Sequence, residues 1–477
     1  MKHFLSSTIT FFLIQLTISA NTTPSKSDLL QIGLPVLQIE TIDHEEPTYE
    51  DADAPAGCMG SGIKNATKVP GRVTIETLNE GIIFDSGEYT SKKSGMTIKV
   101  RGNTSARYNP KKPYKIKLEK KGDMLCRGDA LYNDKNWLLL RVDNINTLIG
   151  FKTGELINME WNPQYEFVNV IFNGDYRGLY LLVEAVERNA DCRLNVDKTT
   201  GFVAELDAYW WNEDFSIPSV FHSPGLAYTF KHPDAEDMTD EQKEYYQTTL
   251  QTAEQAMRNG GYNTLIDEIS FAKWIMSMDI LGNIDGAGSN LYLSKYDDQP
   301  SSLLKIDLLW DFDNIQKSED KWSENHTHFL FQDLFNCSDK SFVRTYTTLW
   351  EESGSSTIDL LSQFIESFAS STLAEGIDAS IVLDNERWNS QKKTVSEYAE
   401  AATAYLSKRK TWLTNAIAEM AASIPDDTPT KLSELRKDNN SEPLTTYSVD
   451  GIRRHSNTIS NKRYNGITIS GDKKVLR

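Results

Sequence analysis

The densest chemistry in the sequence lies between Asp279 and Asn314. Asp285-Gly-Ala-Gly-Ser-Asn290 places a carboxylate and a carboxamide five positions apart, with two glycines between them. An apolar run, Ile306 to Trp310, interrupted only by Asp307, then ends in Asp311-Phe312-Asp313-Asn314. Asp and Asn side chains supply hard oxygen donors suited to a divalent cation, and a lone Asp can orient a hydroxyl. A small, Gly-rich loop between an apolar helix and a strand can hold such groups open to a ligand. The plainer alternative is a loop Asp and Asn that only cap turns.

The spacing Asp-x4-Asn followed by Asp-Phe-x resembles the protein-kinase arrangement. There the first Asp orients the attacking hydroxyl, and the Asn and second Asp hold Mg²⁺ on nucleotide phosphates. The match is partial. Asn283-Ile284 stands where His-Arg would precede the catalytic Asp, and Asp-Phe-Gly has become Asp-Phe-Asp.

The elements that must position these groups follow from periodicity. Leu265 to Leu281 predicts a helix with Phe271, Trp274, Ile275, Met278 and Leu281 as its core stripe, delivering the chain into the Asp285 loop. Before it, Thr239-Asp-Glu-Gln242 forms a capping box for a helix with Tyr246, Leu250, Ala253 and Met257 on one face, ending at Gly260-Gly261. Upstream the pattern is strand-like: Gly33 to Glu40, Arg72 to Glu76, Met96 to Val100, Asn136 to Leu140, Gly201 to Asp207 and Tyr228 to Pro233. In Tyr114-Lys-Ile-Lys-Leu118 the apolar residues share one face, and Lys115 and Lys117 the other. Asn173-Gly174 marks a hairpin between Glu166–Phe172 and Gly178–Glu184. Asn146 to Met159 reads as a helix, residues 341 to 420 as mostly helical, and the acidic stretch from His44 to Gly62 as a loop. The carboxylates closing Gly201–Asp207 read as solvated.

With 477 residues the chain can bury a large core or two domains, and its net charge of −18 argues against nucleic acid as a partner. Against that background the block from Lys99 to Lys121 is unusual, with nine Lys or Arg and one Glu. It reads either as a grip on a phosphate-bearing ligand or as a solvated hairpin edge guarded by lysines. His326-x-His328 could bind a metal, but no third ligand is evident. Lys2-His3 followed by an apolar run to Ile18 and a small residue at Ala20 reads as a secretory signal, the alternative being an uncleaved anchor. After cleavage no transmembrane segment is expected. Cys58, Cys126, Cys192 and Cys337 allow one or two disulfides or four free thiols.

Taken together and in order, these pieces resemble the CotH (spore-coat protein H-like) atypical kinase family. The carriers are Arg101-Gly-Asn-Thr-Ser with Lys111-Lys-Pro-Tyr-Lys-Ile-Lys-Leu118, Asn136-Trp-Leu-Leu-Leu, Asn173-Gly-Asp-Tyr-Arg-Gly-Leu-Tyr-Leu-Leu-Val-Glu184, Lys231-His-Pro-Asp234, Asn283-x-Asp285-x4-Asn290 and Trp310-Asp-Phe-Asp313. The resemblance implies an α+β, protein-kinase-like two-lobed fold with insertions. It also implies Ser/Thr phosphorylation of a protein substrate with ATP and Mg²⁺ or Mn²⁺. Carried over, Asp285 is the catalytic Asp, Asn290 and Asp311 are metal ligands, and Asp313 is a second metal contact. Lys117 or Lys115 would hold nucleotide phosphates, with Lys117 favoured. Arg101 would add to that grip, and Glu184 would lie near the adenine. No G-x-G-x-x-G loop is present, and Gly102-Asn-Thr-Ser would serve as a flap in its place.

The implied organisation is a signal peptide (1–20), a leader (21–32), a kinase-like domain (33–422) with a β-rich lobe (33–187) and a mostly helical lobe (188–422), a linker (423–443) and a β-rich tail (444–477). The tail resembles the C-terminal sorting modules of exported Bacteroidetes proteins. That implies secretion machinery as a partner and a secreted or cell-surface location, at the outer membrane in such a bacterium. Two functions stay open. One is a secreted phosphotransferase acting on surface or exported proteins. The other is a non-catalytic surface or adhesion module on a kinase-like scaffold, since ATP is scarce outside the cytoplasm.

Overall fold

The computed structural model describes residues 23–425 and, beyond them, four short strands. The signal reading of residues 1–20 and most of the linker reading of 423–443 lie outside the described residues. The leader contains a helix, α1 (Lys26–Gln31), started by a capping box on Ser25. Then come β1 (Val36–Thr41), a hairpin of β2 (Glu50–Asp53) and β3 (Ser61–Lys64), β4 (Val69–Thr77), β5 (Gly81–Asp85) and β6 (Met96–Val100). A one-turn helix, α2 (Thr104–Tyr108), leads to β7 (Tyr114–Gly122) and β8 (Asp134–Arg141). Helix α3 (Asn146–Leu156) precedes β9 (Tyr165–Phe172) and β10 (Asp175–Glu184).

The strands from β1 to β10, the β2/β3 hairpin excepted, form one eight-stranded sheet in the order β1-β9-β10-β8-β7-β6-β4-β5, and β1 also pairs with β4. That extra pairing closes every strand except β5 into a barrel. This corrects the two-lobed expectation for the N-terminal part: the fold is α+β, but the β-rich region is a barrel. The alternation seen in the sequence is what fills it. Tyr114, Ile116 and Leu118 of β7 point inward, packed with Leu37, Ile39, Ile98, Trp137, Val170 and Leu182. The Asn173-Gly174 turn has φ of 50° and 79°, the left-handed pair that a two-residue hairpin requires.

The second half carries a four-stranded sheet of β11 (Phe202–Asp207), β12 (Ile217–Pro218), β13 (Ala227–His232) and β14 (Leu291–Lys295), ordered β12-β13-β11-β14. The helices of this half are α4 (Asp240–Asn259), α5 (Glu268–Leu281), α6 (Glu324–Thr327), α7 (Phe329–Asn336), α8 (Ser341–Leu349), α9 (Ser355–Ala369), α10 (Thr372–Trp388), which packs against β10 of the barrel, and α11 (Val395–Ala422). Helix α4 carries the capping box read from the sequence and buries Tyr246, Leu250, Ala253 and Met257. The tail strands β15 (Thr446–Tyr447), β16 (Arg453–Arg454), β17 (Ile467–Ser470) and β18 (Lys473–Leu476) pair in the order β16-β15-β17-β18.

Other expectations are also revised. The stretch from His44 to Gly62 is not all loop, because it holds β2 and the start of β3. Asp51 and Asp53 of β2 pair with Arg107 of α2. All four cysteines are free thiols. His326 is no metal ligand. It is buried, stacks between Trp322 and Phe335 at 4.0 and 3.8 Å, and bonds Asp279 through Nδ1 at 2.8 Å. Among the described residues no helix is long and apolar enough to cross a membrane.

Candidate active site

Helix α5 begins on Asp267, whose side chain accepts from the amides of Ile269 and Ser270. It ends at Gly282, which is left-handed (φ 58°) and packed so closely that a β-carbon there would overlap the Tyr405 hydroxyl. The next residue, Asn283, is buried and ties two loops together. Its Oδ1 accepts from the Asp285 amide at 3.0 Å, and its Nδ2 donates to the Asp311 carbonyl at 3.0 Å. Asn314 Nδ2 donates to Asp285 Oδ2 at 2.6 Å. The other Asp285 oxygen, Oδ1, is buried with no partner among the described residues.

Residues Ile306 to Trp310 and Phe312 are buried, with Asp311 half-buried between them, and the segment belongs to no regular strand. They deliver Asp311 with φ 59°, while Asn290 stands at φ 64°. Two of the four positions Asp285, Asn290, Asp311 and Asp313 therefore sit in backbone that only Gly, Asn and Asp adopt readily. Strand β14, which follows the Asp285 loop, pairs antiparallel with β11, matching Leu291 with Leu206. The pairing brings Asp207, at the end of β11, beside the loop that carries Asn290.

These groups open on one cleft of about 1080 Å³. It is lined by Asp285, Asn290, Asp311 and Asp313 on one side and by Arg101 and Lys115 on the other. An apolar wall includes Leu138, Leu140, Phe151, Ala185, Val186 and Trp310. Gly102, Asn103 and Thr104 reach its rim, and the Thr104 and Tyr209 hydroxyls bridge it at 2.8 Å. Two expected residues are elsewhere. Lys117 is exposed on the same face of β7 as Lys115 but lines a neighbouring pocket. Glu184 is fully buried, paired with Arg127 at 2.8 Å and accepting from the Gln164 amide at 3.0 Å. It braces the barrel away from the cleft.

Crowding sets the electrostatics. Burial, then the nearby Asp285, raises the Asp311 carboxyl to about 6, and burial, then Asp311, raises Asp313 to about 6. Burial also raises Asp285. Asp207, read from the sequence as solvated, lines the cleft and is pushed up to about 7 by burial and then by Glu205. Glu205 pairs with Lys231 at 2.8 Å, and Lys115 with Glu187 at 3.0 Å. The one sequence signal for Glu205 and Asp207 is that they alternate with the apolar Ala204 and Leu206 on a strand buried along its whole length.

Among the described residues no three Asp, Glu, His or Cys side chains form a ready-made metal cluster. The donor set nevertheless fits a hard divalent cation of the Mg²⁺ kind, which takes one or two carboxylates and completes its shell with water and substrate phosphates. Asp311 and Asp313 repel each other at the cleft, and a cation would relieve that repulsion.

No curated protein matches the chain. A family described as CotH kinase protein matches residues 98–413, a span that includes both faces of the cleft and more than half of the 477 residues. The chain belongs to the CotH kinase family.

Proposed function

We propose that this protein is an exported atypical kinase that transfers the γ-phosphoryl group of ATP to Ser or Thr hydroxyls of surface or exported proteins, with Mg²⁺ or Mn²⁺. The observation that carries this reading is that Asp285, Asn290, Asp311 and Asp313 share a cleft with Arg101, Lys115 and an apolar wall. An apolar wall suits a base, cations suit phosphates, and carboxylates suit a metal. A binding module on the same scaffold would have no need of three mutually repelling carboxylates crowded at one cleft.

Asn290, Asp311 and Asp313 would hold the metal, which when bound neutralises charge on the transferring phosphates. Arg101 and Lys115 hold phosphate oxygens, and Leu138, Leu140 and Val186 cover the base. Asp285, locked by Asn283 and Asn314, orients the acceptor hydroxyl and takes its proton as oxygen attacks the γ-phosphorus. The bond from γ-phosphorus to the bridging oxygen breaks, and ADP leaves. The raised pKa of Asp285 suits that role.

The test is the purified full chain with labelled ATP and Mg²⁺ or Mn²⁺, beside Asp285→Ala and Asp311→Ala. Metal-dependent label on the protein itself or on a generic protein is expected, falling at least a hundredfold in both variants. No label, with no metal-dependent nucleotide binding by calorimetry, would overturn the reading in favour of a surface-binding protein.

A further inference from the structure

A second pocket of about 620 Å³ adjoins the first, on the outer face of β6, β7 and β8. Lys99, Lys115 and Lys231 line both. Seven Lys or Arg face this second pocket against three acids, Glu187, Asp234 and Asp237, in a chain whose net charge is −18. Glu187 is already occupied by Lys115 and Asn136. Lys68, Lys99, Lys117 and Lys198 have no ion-pair partner among the described residues. Lys99 is half-buried, and its pKa is lowered by burial and then by Lys115 and Lys68. Lys115 and Lys231 of the shared wall are paired with Glu187 and Glu205, so the uncompensated positive charge lies on Lys99 in that wall and on Lys68, Lys117 and Lys198 of the second pocket.

The lining also says what the pocket does not take. The first cleft has an apolar wall. The second is lined by charged and polar side chains, with only His232 and Pro233 offering ring surfaces. A nucleoside base is covered by aliphatic and aromatic side chains, which line the first cleft, whereas the apolar surface of the second pocket comes from lysine stems and a few small or ring side chains. A long polyanion such as nucleic acid would meet the acidic remainder of the molecule. What fits is a short run of carboxylates whose chain continues over the Lys99–Lys115–Lys231 wall into the cleft.

We propose that this pocket docks an Asp/Glu-rich segment of the acceptor protein, selecting acceptor sites flanked by acidic residues. The proposal rests on the kinase reading for its purpose but not for its test. Lysines that look redundant for nucleotide binding, Lys117 among them, then have a use: they steer and hold the substrate by charge.

The experiment is fluorescence anisotropy of two labelled peptides on the full chain across a salt series. One is a Ser peptide flanked by Asp and Glu, and the other its Asn/Gln counterpart. The acidic peptide is expected to bind at least tenfold tighter at low salt, with the advantage fading as salt rises. In Lys68→Glu/Lys198→Glu, two exposed positions outside the first cleft, the preference should vanish while nucleotide binding by calorimetry stays within twofold. Equal binding of both peptides, or a double variant that keeps the preference, would overturn the proposal. So would a double variant that loses nucleotide and peptide together, since the pocket would then be an arm of the nucleotide cleft. Acidic-peptide binding without phosphoryl transfer would sink the kinase reading alone and leave the docking pocket standing.

Discussion

Asp207 shows how tertiary placement changes a residue's chemistry. Its carboxylate accepts from the Tyr209 amide at 2.7 Å and from the Thr229 hydroxyl at 3.4 Å, yet burial and Glu205 keep it protonated up to about pH 7. In the unfolded chain the same group loses its proton near the ordinary value of about 4. Between those values the folded state holds a proton that the unfolded state has lost. Stability therefore falls as pH rises through this window and levels off above it. Asp207→Asn keeps an acceptor for Tyr209 and adds a donor for Thr229 without the charge. It is expected to be more stable than wild type at pH 8, by on the order of 1–3 kcal/mol, with the difference shrinking towards pH 4. Denaturant midpoints at three pH values would show this, and parallel profiles for the two proteins would refute it.

Among the elements, the joint between α3 and the Asp311 segment is closely packed. Gly150 faces the Phe312 ring so closely that a β-carbon would overlap it, and Phe312 also packs edge-on against Phe151 at 5.4 Å. Phe312 lies between Asp311 and Asp313, so the helix sets where both carboxylates point. Gly150→Ala is expected to cost about 1–3 kcal/mol by overpacking. It should weaken metal-dependent nucleotide binding at least tenfold, both readable by thermal melting and calorimetry. Adding Phe312→Leu should recover part of the melting temperature. Unchanged melting and binding in Gly150→Ala would show that the helix does not hold the segment.

A second joint fixes the far end of α5. Asp279, fully buried, accepts from Ser323, Tyr346 and His326, while Arg409 donates to its carbonyl at 2.6 Å. The four partners lie in or beside α6, α8 and α11, so the loop that starts at Asn283 leaves a helix end anchored on three sides.

Across the whole molecule, barrel and helices are joined through buried charge. Lys111, from the segment before β7, donates to Asp384 of α10 and to the Leu179 carbonyl of β10, each at 2.5 Å. Lys392 pairs with the other Asp384 oxygen and with Asp143 at the cleft edge at 3.5 Å. Asn169 of β9 donates to Ser380 of α10 at 3.0 Å. Asp384→Ala would leave Lys111 buried without its carboxylate and half-buried Lys392 with Asp143 alone, and is expected to cost about 3–5 kcal/mol. Chemical denaturation followed by tryptophan fluorescence would measure it. A midpoint matching wild type would mean that apolar packing alone joins the two parts.

Local pattern was enough for the helices α4 and α5, the strand faces of β7 and the Asn173-Gly174 turn, because periods of 2 and 3.6 and turn chemistry depend only on near neighbours. Short spacing places Asp285 with Asn290 on one loop and Asp311 with Asp313 on another, but only Asn283 and Asn314, which bridge the two loops, bring the pairs together. Barrel closure was not legible, because it depends on β1 pairing with β9 and β4, far along the chain, and no local signal encodes those partners. Nor was the choice between Lys115 and Lys117. They share a face of one strand, roughly 7 Å apart, and only the position of the cleft along that strand separates them. Glu205 and Asp207 became cleft residues for the same reason. Their sequence says strand end, and the pairing of β11 with β14 turns that end into the wall beside Asn290.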